Sequence, residues 1–186
     1  MTVTTLNLQP YLQNALVLAE PLKESDFDDL FNVASDPLIW EQHPNKNRYQ
    51  RSEFEVYFKG AIESQGAFLI KDLQTQEIIG SSRYYDYKPG EDIISIGYTF
   101  FKRSFWGKGH NYALKKLMLD HIFHFAGTVV FEIGATNKRS QISIEKLGAL
   151  KTGEEEIAYY GEASKLNYRY IISKSQWAKL RVALPG

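Results

Sequence analysis

The chain contains no cysteine. That single absence excludes disulfides, thiolate metal sites and a cysteine nucleophile. Net charge is absent as well, because 22 lysines and arginines stand against 22 aspartates and glutamates. A chain without excess positive charge lacks the general attraction to phosphate that nucleic-acid binding uses, so no nucleic-acid partner is expected. No run of like charge is long enough to form a tail. Long apolar runs are missing too, and none approaches the roughly 20 residues that span a bilayer. Met1 to Pro10 has neither the basic start nor the apolar centre of a signal peptide. The expectation is a cytoplasmic protein with no membrane partner. Histidine is scarce: only His43, His110, His121 and His124 occur. His121 and His124 are three apart, but no acidic or histidine partner stands at ligand spacing around them, so no metal is expected.

What is present fits one compact domain. The 186 residues, 44% of them hydrophobic, suffice for a real core. Residues 1–14 read as an N-terminal extension and 15–186 as the domain. Ala15 to Leu22 is the first strand candidate. Ser25 can cap a helix in which Phe27, Leu30, Phe31 and Ala34 recur at helical spacing, and Asp36-Pro37 stops it. Leu38 to Arg51 reads as a loop with one short helical turn. Ser52 and Glu55 have the spacing of a capping box, and a second helix runs on to Ser64. Three strands follow, Ala67 to Lys71, Ile78 to Asp86 and Ile93 to Phe101, with turns at Gln74-Thr75-Gln76 and Lys88-Pro89-Gly90-Glu91.

After Gly109 the period changes. Ala113, Leu114, Leu117, Met118, Ile122 and Phe125 form one helix face, with Gly127 as its C-terminal cap. Thr128 to Ile133 is an apolar strand. Arg139 to Leu147 is a short helix closed by Gly148. Residues 149–157 and 166–173 are the last strands, and Ser175-Gln176-Trp177 opens a terminal helix. The order gives a mixed α/β (α+β) layout with one strand–helix–strand crossover at its centre.

The chemistry concentrates between Ile93 and Ser140. A strand ends near Phe101, the turn Trp106-Gly107-Lys108-Gly109 follows, and a helix starts at once. Gly107 and Gly109 let backbone N–H groups approach a ligand. The helix start leaves N–H groups unpaired and carries partial positive charge. Together these features bind phosphate or pyrophosphate, with Lys108 and His110 at the rim. A nucleotide P-loop needs Lys-Ser/Thr after its last glycine, but Gly109 is followed by His110-Asn111. A dinucleotide fingerprint needs a third small residue where Tyr112 stands.

Ile96-Gly97-Tyr98 followed by Trp106-Gly107-Lys108-Gly109-His110-Asn111-Tyr112-Ala113 resembles motif A of the GNAT N-acetyltransferases. Asn137-Lys138-Arg139-Ser140 with Glu145-Lys146-Leu147-Gly148-Ala149 resembles motif B, and the pair resembles the RimJ/RimL-like branch. The likeness in element order covers roughly residues 15–173. It implies the GNAT fold, a mixed central sheet of about seven strands flanked by helices. It also implies direct transfer of an acetyl group from acetyl-CoA to a primary amine of a small molecule or peptide, and a homodimer. A non-catalytic acyl-CoA-binding module is the alternative. One departure is Ser104, which stands where the family usually has Gln or Arg, with Arg103 one step earlier.

The resemblance further implies that Tyr98, Thr99, Phe100 and Phe101 pair with the pantetheine arm. Trp106, Gly107, Lys108, Gly109, His110 and Asn111 would hold the pyrophosphate, and Asn137 would touch pantetheine or serve as a turn residue. Ser140 donates to the leaving thiolate, or is a polar residue of the helix's first turn. Glu132 is the acidic candidate for the base, against a cross-strand salt bridge or simple solvent exposure. Tyr159, the third catalytic candidate, falls near the place where members acting on protein N-termini often carry an acid. Trp40, Tyr84 and Tyr85 are the acceptor-wall candidates, joined by Tyr87, Tyr159 and Tyr160; aromatic residues on strands also serve as core. Glu154-Glu155-Glu156 can attract a cationic amine or form a solvated face.

Overall fold

The computed structural model describes residues 6–183, so Met1 to Thr5 of the proposed extension lie outside it. Eight strands form one sheet in the order β1-β2-β3-β4-β5-β6-β8-β7. They are β1 (Leu12–Gln13), β2 (Val17–Pro21), β3 (Ala67–Asp72), β4 (Ile78–Lys88), β5 (Ile93–Phe101), β6 (Thr128–Gly134), β7 (Leu150–Ile157) and β8 (Lys165–Ser173). Seven match the strands expected from sequence. The eighth, β1, is two residues long and pairs Leu12 with Ala19 and Gln13 with Leu18. The helices are α1 (Phe27–Ala34), α2 (Arg51–Glu63), α3 (His110–Ile122), α4 (Lys138–Lys146) and α5 (Lys174–Ala183).

All neighbouring strands are antiparallel except β5 and β6. A parallel pair needs a crossover, and α3 supplies it. The two strands pair only over Ile93–Ser95 and Thr128–Val130. β5 then continues to Phe101 and β6 to Gly134 without touching each other's ladder. This parting opens a wedge in the middle of the sheet. On the β5 side a register shift accompanies it, and Tyr98 takes φ +51°.

Two apolar layers cover the sheet. One joins Val17, Phe68, Ile96, Phe101, Phe131 and Ile172 to Leu114 and Met118 of α3, Ile144 of α4 and Trp177 of α5. The other joins Leu69 and Phe100 to Leu30 of α1 and Phe54 and Phe58 of α2.

Local expectations differ from the structure at several helix ends. A 3-10 turn, Glu24–Asp26, precedes α1, and the Asp26 carboxylate accepts from Lys23 N at 2.8 Å, so Ser25 caps nothing. The Asp36 carboxylate holds a separate 3-10 turn at Pro37–Ile39. α2 begins at Arg51 behind Gln50, with no side-chain cap. Tertiary contacts replace the expected box: Arg51 pairs with Asp28 at 2.8 Å and its guanidinium lies 4.8 Å from the Phe27 ring centre. α3 ends at Ile122, five residues before Gly127. Gly127 is a close-approach glycine instead, since a Cβ there would lie 2.1 Å from Asp92 Oδ2. Gly148, at φ +88°, follows α4 as expected.

Candidate functional site

The wedge between β5 and β6 continues into a cleft of about 600 Å³ that reaches the N-terminus of α3. At that end Gly107 and Gly109 have φ +72° and +85°. A Cβ on Gly107 would meet nothing within 4 Å, and one on Gly109 only Leu16 Cδ1 at 3.6 Å. The turn therefore needs glycine for its left-handed backbone, not for space. No side chain caps α3, which leaves its first N–H groups open to a ligand. His110 is tied by Nε2 to the Asp72 carboxylate at 2.9 Å, with the Phe105 ring edge-on at 5.0 Å. That bond is the largest of the causes holding the Asp72 carboxyl down at about 2, the Thr75 hydrogen bonds following. Trp106 donates Nε1 to Phe101 O at 2.9 Å and carries the Arg139 guanidinium 4.3 Å from its ring centre. Asn111 donates to Ser143 Oγ at 2.8 Å, bridging α3 to α4. Lys108 does not line the cleft and lies 5.6 Å from the Phe105 ring centre.

Midway, Tyr98, Thr99, Phe100 and Phe101 line the cleft. Tyr57 donates to Tyr98 O at 2.8 Å, which fixes the irregular backbone there. Opposite stand Asn137 and Ser140. Asn137 is the N-cap of α4, its side chain accepting from Ser140 N at 3.2 Å, so the turn role is realised in the wall of the cleft. Gln141 donates to the carbonyls of Gly134 and Ala135 at 3.1 and 3.0 Å and locks α4 to the end of β6.

At the far end lie Trp40, His43, Arg48, Glu132 and Tyr159. Trp40 is anchored by Nε1 donating to Ala34 O at 2.8 Å. Arg48 is 1% exposed, ion-paired with Glu162 at 2.5 Å and ringed by Trp40, Tyr57, Tyr98 and Tyr159 at 5.1 to 5.8 Å. It also donates to His43 Nε2 at 3.2 Å. Burial first, and then Arg48, hold His43 well below the usual imidazole range, so it is neutral. Glu132 projects to this side from β6. Its Oε1 lies 3.8 Å from Arg169 Nε, while Oε2 is buried without a hydrogen-bond partner among the described residues. Burial raises its pKa, with Arg169 partly opposing. The Tyr159 hydroxyl is shared between Asn167 Oδ1 at 2.7 Å and Glu132 O at 3.0 Å, and burial raises its pKa. Tyr159 thus braces the strand that carries Glu132.

Four acceptor-wall candidates lie elsewhere: Tyr87 and Tyr160 do not line the cleft, and neither do Tyr84 and Tyr85. Tyr84 is fully buried under the sheet, its hydroxyl donating to Met118 O at 2.6 Å, and it does not reach the cleft. Tyr85 backs the wall: its ring packs edge-on to Tyr98 at 5.1 Å and against Gly97. Glu154, Glu155 and Glu156 are exposed on β7. Among the described residues no group of three His, Asp or Glu can hold a metal.

Sequence reasoning missed Arg48, Arg139 and Lys115. Lys115 also lines the cleft, 2% exposed, with Nζ donating to Thr99 Oγ1 at 2.6 Å and Ser82 Oγ at 3.0 Å. Burial alone lowers its pKa to about 7. Its position is the one weak signal: it shares a helix face with Leu119 and Ile122, four and seven residues on.

Residues 16–150 match the acetyltransferase (GNAT) domain family. No curated protein matches the sequence. The fold is similar to a GCN5-related N-acetyltransferase from Brucella melitensis, with TM-score 0.81 and 18% identity over 94% of this chain and 83% of that one. An acetyltransferase (GNAT family) from Bacillus anthracis superposes with TM-score 0.72 at 16% identity, covering 89% and 99%. A spermidine N-acetyltransferase from Vibrio cholerae, solved with CoA and spermine, gives TM-score 0.68 at 16% identity, covering 89% and 99%.

Proposed function

The chain belongs to the GNAT acetyltransferase family, and we propose that it transfers the acetyl group of acetyl-CoA directly to a primary amine inside the cleft between β5 and β6. One observation carries the reading. A left-handed glycine turn and an uncapped helix start stand at one end of a wedge whose other end holds a desolvated carboxylate.

Acetyl-CoA, when bound, supplies the acetyl thioester. The open N–H groups at the start of α3 take the pyrophosphate, and the β5 edge from Tyr98 to Phe101 takes the pantetheine arm. Ser140, on the first turn of α4, donates to the sulfur. Glu132 accepts the proton that the attacking amine loses. Its Oε2 has no partner to displace, and burial raises its pKa, so it holds an accepted proton better than an ordinary carboxylate does. Trp40 and Tyr98, backed by Tyr85, wall the acceptor, and Tyr159 positions Glu132.

The finer parts of this reading rest on the motifs. The glycine turn followed by Asn137 to Ser140 and Glu145 to Ala149 supports the RimJ/RimL-like branch. A small-molecule amine is the favoured acceptor, since the Vibrio cholerae neighbour acts on spermidine, and a peptide amine is the second. Residues 15–186 are the acetyltransferase domain and 1–14 an extension whose Leu12–Gln13 joins the sheet. A cytoplasmic location and a homodimer complete the proposal. No helix among the described residues is long and apolar enough to cross a membrane.

The test is release of free thiol from acetyl-CoA against diamines, aminoglycosides, amino acids and N-terminal peptides, beside thermal-shift titration with CoA, ATP and NAD. Turnover on at least one amine is expected, with stabilisation by CoA above that by either nucleotide. CoA binding without turnover on any acceptor would leave an acyl-CoA-binding module.

A further inference from the structure

Lys115 has no part in the reaction as described so far, yet it stands in the cleft wall. Its neighbours give its charge nothing to pair with. β4 presents the Ser82 hydroxyl and turns Arg83 the other way, toward Tyr57 and Tyr98. β5 presents the Thr99 hydroxyl. β2, which also packs on α3, contributes Val17 and Ala19 to the same layer. On α3 itself, His110 is committed to Asp72. Across the cleft α4 brings Ser143 and the cation Lys146. Among the described residues no carboxylate lies within ion-pair distance of Lys115 Nζ. A buried lysine held only by hydroxyls sheds its proton readily, and an anion brought in from outside the chain is what would stabilise its charged form there.

Its place along the cleft says which anion. The helix rises about 1.5 Å per residue, so Lys115 lies roughly 9 Å beyond Gly109, away from the pyrophosphate turn. Its partner Thr99 stands two residues closer to the parting of the strands than Phe101 does. A pantetheine arm laid from the turn along Phe101 toward Tyr98 brings its sulfur end to Thr99. This step rests on the proposal that acetyl-CoA occupies the cleft.

We propose that Lys115 is a catalytic residue of the acetyl transfer, pairing with the coenzyme A sulfur and protonating it as the thioester breaks. The amine nitrogen forms a bond to the carbonyl carbon, and the carbon–sulfur bond breaks with its electron pair going to sulfur. Lys115 Nζ gives that sulfur its proton while Ser140 keeps its own and only hydrogen-bonds to the sulfur, leaving free thiol and a neutral lysine amine held by Thr99 and Ser82. Glu132 holds the proton lost by the attacking amine. Its return to Lys115 through solvent restores both groups, and the sum is amine plus thioester to amide plus thiol. A lysine brought by burial to about 7 gives up a proton far more readily than a free one, and it regains it near neutrality.

The probe is coenzyme A itself. The ultraviolet absorbance of its thiolate is followed across pH, free and bound to wild type, Lys115→Met and Lys115→Arg. A cation at the sulfur lowers the bound thiol's pKa by about one unit or more, a tenfold change in acidity. Lys115→Met abolishes that shift and lowers kcat by about 100-fold or more, with KM for acetyl-CoA within about threefold. Lys115→Arg keeps the shift but, unable to release a proton, leaves kcat low. An unshifted thiol in the wild-type complex, or an equal shift in Lys115→Met, would overturn the inference while leaving the acetyltransferase reading intact. Failure of wild type to bind coenzyme A would overturn both. Should Lys115→Met not fold, the wild-type titration and Lys115→Arg decide the matter.

Discussion

At the scale of single residues, Glu132 and Tyr84 show what a strand pattern reveals and what it hides. Glu132 sits between Phe131 and Ile133, both of which join the core under the sheet. Alternation therefore sends its carboxylate to the other face, toward the acceptor end. That much is readable from the chain. The same rule separates Tyr84 from Tyr85, since the two side chains leave β4 on opposite faces of the sheet, and Tyr84 is the one in the core. Arg48 was not readable, because its partner Glu162 lies 114 residues away. Lys115 was hidden likewise, since Ser82 and Thr99 are 33 and 16 residues distant. Glu132→Gln tests the base directly. Below the carboxyl's raised pKa Glu132 is protonated and cannot accept, so wild-type kcat/KM falls as pH drops through that value. The variant is expected to lose about 10² to 10⁴ in kcat at neutral pH and to lose that acid limb. A pH–rate profile measures both, and an acid limb preserved in Glu132→Gln would assign the proton to another group.

At the scale of elements, the turn into α3 was the most legible part of the molecule because glycine is the cheap solution to a left-handed backbone. The structure changes the reason. Neither Gly107 nor Gly109 is crowded, so it is the positive φ that an added side chain would fight. Gly109→Val, with a branched side chain at φ +85°, is expected to cost on the order of 1–3 kcal/mol of stability and to weaken coenzyme A binding about tenfold or more as the N–H groups turn away. Calorimetry on the folded variant checks the second part, and unchanged affinity would move the pyrophosphate elsewhere. The helix starts were read less well. The expected caps at Ser25 and Ser52 failed because Asp26 and the Arg51–Asp28 pair, a tertiary contact, fix those ends. Gly127 was mistaken for a cap because its actual neighbour, Asp92, lies 35 residues back on the other side of the crossover.

At the scale of the whole molecule, periodicity gave the order of strands and helices, and the central crossover followed from that order. The point where β5 and β6 part was not in the pattern, since it depends on how far two strands from different segments stay in register. The cleft made by that parting puts a lysine inside the protein, and this should appear in stability as a function of pH. Lys115 has a folded pKa near 7, below its unfolded value of 10.5. Between those values the unfolded chain binds more protons, so stability rises with pH across the window, and the full cost of the buried charge is felt below about 7. Glu132, whose carboxyl is raised by burial, acts with the opposite sign as pH rises through its folded pKa, whereas His43, Asp72 and the tyrosines act outside that window. His43, held below the imidazole range, costs stability only as pH falls under about 6.5, and Asp72 only as pH falls from about 4 toward 2. The buried tyrosines, raised above 10, begin to oppose only near that pH. The unfolding free energy measured by urea titration from about pH 7 to 9.5 should therefore climb for wild type by roughly a few kcal/mol in total. Lys115→Met should be flat over the same range and more stable than wild type at its acid end. A wild type that is already flat there would mean that the lysine finds a counter-charge or water in the empty cleft, and that the cost of its burial is not stored for the thiolate.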